Sequence, residues 1–445
     1  MIRVILTGLL IALVSGNLCW GQAGTTAPRV LTLDECMKLA EKHNATLISA
    51  RESYNVAKSD VWLGWGKLLP GVSSRLGYNH SETWSPGGGY YNPVTESIDS
   101  VPPGGIASKY YSASVSAGQS WSLGGYNFYE IREKNASRNS ARSSYELTRQ
   151  ELILAVKQAY FDVLKAKMLL AIQEKALNRA SEQLKIAEAR YELGAASYSD
   201  VLKAKVLHGD VKLALIGAEN SVKLAKASLN SWMGQDVDTD VDVEENLTVP
   251  GFNYSYDHAL QGAMRDNPNM TTAKFNLKSA EAQFGMARSG LFPNFGVSGS
   301  YSWDNEDLDE IKNIRRRDYR WSLSAYVSFN IFENFTKKHN LSYAKANLNS
   351  QRQNFHQTER DVALELKQAF LNVEEAQEKI KLTEEKVESA QEDLDLMQEK
   401  YNLGAASILE LLDAEVSFKQ AESDQVEALY DYNLAVAQFE KAMGK

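Results

Sequence analysis

Two stretches of the chain carry apolar residues at alternating spacings of three and four, the pattern of helices that pack along one stripe. They run over 126–193 and 336–403, 68 residues each, and contain neither Gly nor Pro. The first stripe consists of Val156, Ala159, Val163, Ala166, Leu170, Leu177, Ala180, Leu184, Ala187 and Tyr191, and the second of Leu366, Ala369, Val373, Ala376, Ile380, Val387, Ala390, Leu394, Met397 and Tyr401. This spacing predicts two long helices with coiled-coil packing.

A glycine closes each stretch and a second helical segment follows it. Gly194 and Gly404 each come after a leucine, where a left-handed residue commonly ends a helix. In the first copy the returning segment carries apolar residues at Val211, Leu215, Ala218, Val222, Ala225, Leu229 and Trp232. The sequence therefore predicts helical hairpins over 126–233 and 336–443.

Ahead of each hairpin the apolar period changes to two, which is typical of strands. We predict strand pairs at 68–80 with 110–123 and at 291–303 with 320–332. Their apolar positions alternate mainly with Ser and Gly, as in Phe295, Val297, Tyr301 and Trp303 against Gly296, Ser298, Ser300 and Ser302. A soluble sheet with one wet face is one interpretation. The serine-rich face and the aromatic ends favour a membrane barrel, because barrel lumens are polar and membrane interfaces collect aromatic residues.

The whole arrangement occurs twice. Residues 191–197 recur almost unchanged at 401–407, an offset of 210, and Pro70 recurs as Pro293 at an offset of 223. We therefore divide the chain into a first repeat over 24–234, a connecting segment over 235–256 and a second repeat over 257–445. A longer loop between the first two strands accounts for the difference in offset.

Four strands cannot close a barrel, and open sheet edges are not tolerated in lipid, so the chain must oligomerise. Two chains would supply eight strands and a filled interior, whereas three would supply twelve. The small Ser and Gly residues of the polar face favour the trimer, which would leave a pore.

The N-terminus has the features of an export signal, which we place at 1–23. Arg3 precedes the apolar run 4–14, and Gly21-Gln22-Ala23 offers small residues for cleavage. A buried N-terminal strand or helix is the alternative. Cys19 raises the question of lipidation, although Leu18 stands where a lipoprotein signal has a small residue.

Charge and composition exclude several function classes. A net charge of −9 and a pI near 5.4 argue against nucleic-acid binding. The six histidines form no metal-spaced cluster, and no nucleotide-binding or nucleophile–base motif occurs. We expect neither catalysis nor a cofactor, so that energy for any transport must come from a partner.

The duplicated order of helix, strand pair and long hairpin resembles the TolC family of outer-membrane efflux and secretion channels, from Leu31 to Lys445. Its most specific elements are the two Tyr-x-Leu-Gly-Ala-Ala-Ser turns, each followed by an acidic residue, and Leu-Phe-Pro at 291–293. The resemblance implies a homotrimer whose twelve-stranded barrel in outer-membrane lipid continues into a periplasmic tunnel of helices, an α-barrel. It also implies that the hairpin ends dock to a periplasmic adaptor and, through it, to an inner-membrane pump of an efflux or type I secretion system.

The resemblance assigns roles to two groups of residues. The docking positions are Leu193, Gly194, Ala195, Ala196, Ser197, Leu403, Gly404, Ala405, Ala406 and Ser407. Asp200, Glu410 and Asp413 match the acidic ring at the periplasmic aperture, although they could equally be solvated helix charges. Well-known members carry an arginine where this chain has Ala406, so its entrance must be held closed in another way or less firmly.

Two other classes stay open at this point: a periplasmic adaptor, which has a helical hairpin, and a coiled-coil scaffold. Neither predicts two matched serine and aromatic strand pairs. The residues indicate neither the substrate nor the class of pump.

Overall fold

The computed structural model describes residues 29–244, 249, 251–306 and 319–445. The proposed signal at 1–23, with Cys19, lies outside them. The helices are α1 (Leu33–His43), α2 (Ala45–Gly66), α3 (Tyr126–Glu192), α4 (Tyr198–Trp232), α5 (Tyr256–Asp266), α6 (Pro268–Ser289), α7 (Thr336–Asn402) and α8 (Ile408–Ala442). The strands are β1 (Arg29–Leu31), β2 (Gly71–Ser85), β3 (Gly88–Asn92), β4 (Ser97–Val101), β5 (Gly104–Ser122), β6 (Val241–Val243), β7 (Asn294–Asn305) and β8 (Tyr319–Ser328).

The duplication is visible in the lengths of the helices. The long helices α3 and α7 have 67 residues each, and the return helices α4 and α8 have 35 each. The short helices also match, because α1 and α5 have 11 residues and α2 and α6 have 22. The chain is therefore mostly helical, with two repeats of one helix–strand–hairpin unit.

The single short helix expected at the start of each repeat is in fact two helices, divided by an asparagine. The side-chain oxygen of Asn44 accepts from the N–H of Thr46 at 2.9 Å, and that of Asn267 accepts from Asn269 at 2.8 Å. These are N-cap hydrogen bonds, which start a new helix. Each asparagine amide also donates to the end of the returning helix, Asn44 to the Trp232 carbonyl and Asn267 to the Ala442 carbonyl, both at 3.1 Å. The cap thus ties the beginning of each repeat to its end.

Four strands form one antiparallel sheet in the order β2-β5-β7-β8. Its strands differ in extent from the predicted ones. β2 and β5 pair as far as Ser85 and Gly104, beyond the predicted 68–80 and 110–123. The prediction stops short because the outer parts of both strands, past Tyr78, no longer alternate between apolar and polar residues. β7 begins only at Asn294, after the proline, and its partner β8 therefore ends at Ser328 rather than at 332. The enlarged first loop contains a further hairpin, β3-β4.

Each repeat has its own core at the level of its short helices. Val156 and Val163 of α3 are fully buried with α1, α4 and β6, and the equivalent Leu366 and Val373 of α7 are fully buried with α5 and α8. The strand β6, which pairs in parallel with β1, lies in the connecting segment and joins the first core. Among the described residues, no helix is both long and apolar enough to cross a membrane.

Candidate functional site

The two hairpin ends are the same turn built twice. We call residues 193–197 the first tip and residues 403–407 the second tip. Gly194 and Gly404 adopt φ angles of 72° and 76°, a conformation that costs about 1–2 kcal/mol for a residue with a side chain. The leucine before each glycine is 84% exposed in the first tip and 85% in the second. Each tip therefore presents one large apolar side chain to its surroundings.

The acids that follow the tips take part in helix capping. The carboxylate of Glu410 accepts from the N–H of Ser407 at 2.7 Å and from its hydroxyl at 2.9 Å, while the Glu410 N–H donates to that hydroxyl at 3.3 Å. Asp200 and Ser197 make the same reciprocal bonds at 3.1, 2.8 and 3.3 Å. This is a capping box, which satisfies N–H groups left open at a helix start. These bonds, with nearby Lys400, lower the pKa of Glu410.

Charge distinguishes the two tips. One turn beyond Glu410 stands Asp413, exposed, whereas the equivalent position in the first repeat is Lys203, which lies 3.9 Å from Asp200. The first tip is therefore followed by a neutral pair and the second by two negative charges. The structure thus gives Glu410 a capping role in addition to its charge, while in the described residues Asp413 shows no comparable capping contact.

An arginine that the sequence did not single out joins the two hairpins beside the tips. Arg190 of α3 donates to the carbonyl oxygens of Tyr401 and Asn402 at 2.8 and 3.2 Å. Its guanidinium also lies 4.3 Å from the centre of the Tyr401 ring. The α7 carbonyls at its end carry partial negative charge, which favours a cation there. The repeat offered a signal for this contact, because position 400, equivalent to 190, is also basic.

Farther from the tips, polar side chains are buried between the two hairpins. Glu415 of α8 is buried beside Arg179 of α3, and Arg179 lies 3.7 Å from Glu422. Burial raises the pKa of Glu415, against the opposing effects of the Arg179 charge and a Gln183 hydrogen bond. Gln183 also donates to Gln398 at 2.7 Å. Arg179, Gln183, Gln398, Glu415 and Glu422 thus form a polar seam that links α3 to the second hairpin. The cores at the level of the short helices consist mainly of apolar side chains.

The sheet has one apolar and one polar face, and the register keeps both continuous across all four strands. The apolar face consists of Val72, Leu76, Tyr78, Tyr111, Ala113, Val115, Ala117, Trp121, Phe295, Val297, Tyr301, Trp303, Tyr319, Trp321, Leu323, Ala325 and Val327, with Ser74, Gln119, Gly299 and Asn305 among them. Beyond Tyr78 and Tyr111, where only β2 and β5 pair, this face continues through His80, Glu82, Trp84, Gly105, Ala107 and Lys109 and is no longer apolar. The polar face consists of Gly71, Ser73, Arg75, Gly77, Asn79, Tyr110, Ser112, Ser114, Ser116, Gly118, Ser120, Ser122, Asn294, Gly296, Ser298, Ser300, Ser302, Asp304, Arg320, Ser322, Ser324, Tyr326 and Ser328.

Hydrogen bonds and ring contacts confirm the two faces. On the polar face, Ser73 and Ser116 are 2.8 Å apart between hydroxyls, and Ser300 and Ser322 are 2.9 Å apart. On the apolar face, Trp121 stacks on Phe295 near the helices, with ring centres 5.9 Å apart. Tyr301 stacks on Tyr319 at 5.5 Å near the opposite end.

The spacing of the aromatic rows matches a membrane. Trp121 and Tyr111 lie ten residues apart on β5. Ten residues of strand span about 33 Å, which a tilt of about 40° reduces to about 25 Å, the height of the apolar band of outer-membrane barrels. The helices connect to the sheet at the end where Trp121 lies. Helices α2 and α6 lead into β2 and β7 there, and α3 and α7 follow the ends of β5 and β8 there.

Matching positions in the two repeats differ sharply in burial. Ile172 of α3 is 6% exposed, but the equivalent Leu382 of α7 is 65% exposed. Conversely, Leu412 of α8 is 8% exposed and the equivalent Leu202 of α4 is 46% exposed. The helix α8 packs on α3 of its own chain, with ion pairs from Lys165 to Glu427 and from Lys157 to Glu440. Helices α4 and α7 carry the equivalent surfaces, but among the residues that the structure describes they do not form the corresponding contact with each other.

A family model described as "Outer membrane efflux protein" matches residues 37–235 and 259–445. The outer membrane protein TolC of Vibrio cholerae is 23% identical over 420 residues, which make up 93% of this chain and 90% of that protein. The CmeC outer membrane channel of Campylobacter jejuni is similar with a TM-score of 0.80 at 17% identity, covering 93% of this chain and 85% of that chain. The open state of the MtrE outer membrane channel of Neisseria gonorrhoeae is similar with a TM-score of 0.78 at 19% identity, covering 93% of this chain and 88% of that chain.

Proposed function

Because the chain belongs to the outer membrane efflux protein family, we propose that three copies of it form one exit duct, which a periplasmic adaptor connects to an inner-membrane pump. The predicted resemblance to the TolC family is confirmed. The chain is an outer membrane efflux channel, and its family consists of channels rather than enzymes. The adaptor and scaffold interpretations are therefore set aside.

The uncovered helix faces carry the proposal of a trimer. The contact of α8 with α3 inside one chain is a template for a contact of α4 with α7 between chains. In the two repeats, α4 corresponds to α8 and α7 corresponds to α3. The apolar residues suit this arrangement, since Leu382 of α7 and Leu202 of α4 are exposed where their equivalents Ile172 and Leu412 are buried. The intrachain ion pairs are not repeated in it, because the positions equivalent to Lys165–Glu427, Lys157–Glu440 and Arg179–Glu422 hold Glu375–Gly217, Lys367–Asn230 and Ser389–Lys212.

The sheet supports the same assembly. Its strands run alternately, so β2 and β8, at the two edges, point in opposite directions. The β8 edge of one copy can therefore pair with the β2 edge of the next as another antiparallel step, and three copies make a closed barrel of twelve strands. Closure removes every open edge, and it places the apolar face toward lipid and the serine face toward a pore.

The helix face is tested by a charge placed on α7. Leu382→Glu buries a carboxylate in the proposed contact, and we expect purified protein to lose its trimers in mild detergent. Lys381→Glu places the same carboxylate at the neighbouring position, with the larger charge change of two units, and should leave the trimers intact because its equivalent Ala171 is exposed. Intact trimers of Leu382→Glu, measured by mass, would contradict the proposed contact.

We further propose that the tips contact the adaptor, and that the negative charges behind the second tip line the entrance. Three copies would place three pairs of Glu410 and Asp413 around one aperture, where they attract cations. Asp413→Asn should lower the preference for cations in bilayer conductance without changing stability. Glu410→Ala should lower both the cation preference and the stability, since it also loses capping bonds worth about 1 kcal/mol. Unchanged selectivity in both variants would remove the aperture role.

The entrance has no arginine at position 406, and we propose that Arg190 holds the closed form instead. Its bonds to Tyr401 and Asn402 join the first and second hairpins of one chain. Lys400, the equivalent of Arg190, would face Tyr191 of the next copy in the same way. The export signal at 1–23 belongs to this proposal as well, since an outer-membrane channel has to cross the inner membrane.

A further inference from the structure

The polar face of the sheet is almost free of charge, and its charged side chains are unevenly placed. Of the polar-face residues defined above, only Arg75, Asp304 and Arg320 are charged. The two arginines lie on the two edge strands, β2 and β8. Each chain therefore contributes two positive charges and one negative charge to this face.

The register places both arginines in one row. Arg75 is paired with Ser114, Ser114 with Ser302, and Ser302 with Arg320. In the described ranges neither guanidinium lies within ion-pair distance of a carboxylate, and the serines between them are neutral. Asp304 lies one pleat beyond Ser302 on the same face, so each chain has one carboxylate for two guanidinium groups in this region.

Closure of the barrel brings the two edges together. The Arg320 strand of one copy becomes the neighbour of the Arg75 strand of the next, which gives three pairs of arginines, six in all. On the opposite face the same row is flanked by the Tyr301–Trp321 and Trp303–Tyr319 pairs. The arginines therefore lie at the height of the outer aromatic row, on the side of the sheet that faces water.

We propose that Arg75 and Arg320 of three copies form a positive belt around the pore, which favours solutes bearing carboxylate, phosphate or sulfate groups at the outer end of the duct. This inference rests on the proposed trimeric barrel. The belt is opposite in sign to the acidic entrance at the other end. In a water-filled pore the guanidinium groups keep their hydration, and they attract anions without needing a carboxylate partner.

The belt is tested by measuring the local potential with a thiol in the row. In a background with Cys19 and Cys36 replaced by Ser, Ser302→Cys places a thiol directly opposite Arg320. The probes are sulfonatoethyl methanethiosulfonate, an anion, and trimethylammonioethyl methanethiosulfonate, a cation. Relative to a small free thiol, we expect the ratio of anionic to cationic rate constants to be raised about tenfold at low ionic strength and to collapse in high salt.

Arg75→Gln with Arg320→Gln should return the ratio to that of the free thiol. Lys109→Gln, which removes a positive charge from the opposite face of the same sheet, should leave the ratio unchanged. A ratio that stays the same in the double arginine variant would overturn the belt while leaving the channel in place.

A cysteine on the apolar face separates this failure from a failure of the barrel itself. Val115→Cys faces lipid in the proposed assembly and should react with neither charged reagent. If Val115→Cys reacts as fast as Ser302→Cys, the assignment of the two faces is wrong, and both the proposed barrel and the belt are overturned. Reaction of Ser302→Cys alone, with the ratio dependent on the arginines, is the outcome that both proposals require.

Discussion

Replacing Arg190 by Ala should shift the closed entrance toward an open one. The side chain donates two hydrogen bonds, of 2.8 and 3.2 Å, and contacts the Tyr401 ring at 4.3 Å. A hydrogen bond from a charged group contributes about 1.5–3 kcal/mol, and an exposed cation–π contact about 0.5–1 kcal/mol. Because Arg190 is partly exposed, we take about 2 kcal/mol per chain for the whole contact.

Three copies would lose about 6 kcal/mol together, which corresponds to about four orders of magnitude in the ratio of closed to open entrances. The assay is single-channel conductance of purified trimers in planar bilayers. We expect Arg190→Ala to conduct more than the wild type, and Arg190→Lys to fall between them, because lysine keeps the charge but not the two-pronged geometry.

Lys185→Ala is the matched control. Lys185 lies on the same helix, is exposed, and forms no ion pair in the part of the chain that the structure describes. It should conduct like the wild type. If Arg190→Ala trimers are intact and conduct no more than Lys185→Ala trimers, the side chain does not hold the entrance closed.

The remaining predictions concern the tips and the polar seam. The double variant Leu193→Asp with Leu403→Asp should weaken binding of the cognate adaptor at least about tenfold, since each leucine buried in the complex contributes about 1.5–3 kcal/mol. Asn402→Asp adds charge without removing an apolar side chain and should bind the adaptor like the wild type. Equal affinity of the wild type, the double variant and Asn402→Asp would contradict tip docking. Burial raises the pKa of Glu415, so the folded form binds its proton more tightly than the unfolded form, and stability should fall as pH rises from the unfolded pKa through the folded one. Glu415→Gln should remove this decline in the melting temperature; a decline that persists unchanged would assign it to other groups.

The long helices could be predicted from sequence because their cause is local and repeated many times. A long apolar stripe without Gly or Pro is compatible with few structures other than a helix. In the structure, α3 and α7 begin at the predicted residues, Tyr126 and Thr336. Asn44 and Asn267 were not recognised as breaks. Their caps involve one side-chain oxygen each, and the apolar pattern on both sides continues to look helical.

The strand bounds were harder because pairing, rather than pattern, decides where a strand ends. β2 continues through Ser81, Glu82 and Thr83, beyond the predicted end at 80, because β5 offers partners there. The aperture residues were placed by resemblance, and only the structure showed that Glu410 caps its helix. Arg190 was missed because its partners are backbone carbonyls on a helix 211 residues away, which no local pattern encodes.

Cross-linking between copies tests the trimer most directly. Arg179 and Glu422 pair within the chain at 3.7 Å, and their repeat equivalents are Ser389 on α7 and Lys212 on α4. Cysteines at 389 and 212, joined by a short bismaleimide, should link neighbouring copies and give a denaturing-gel ladder that ends at three chains. A ladder that ends at two, continues past three, or is replaced by links within one chain would contradict the proposed assembly.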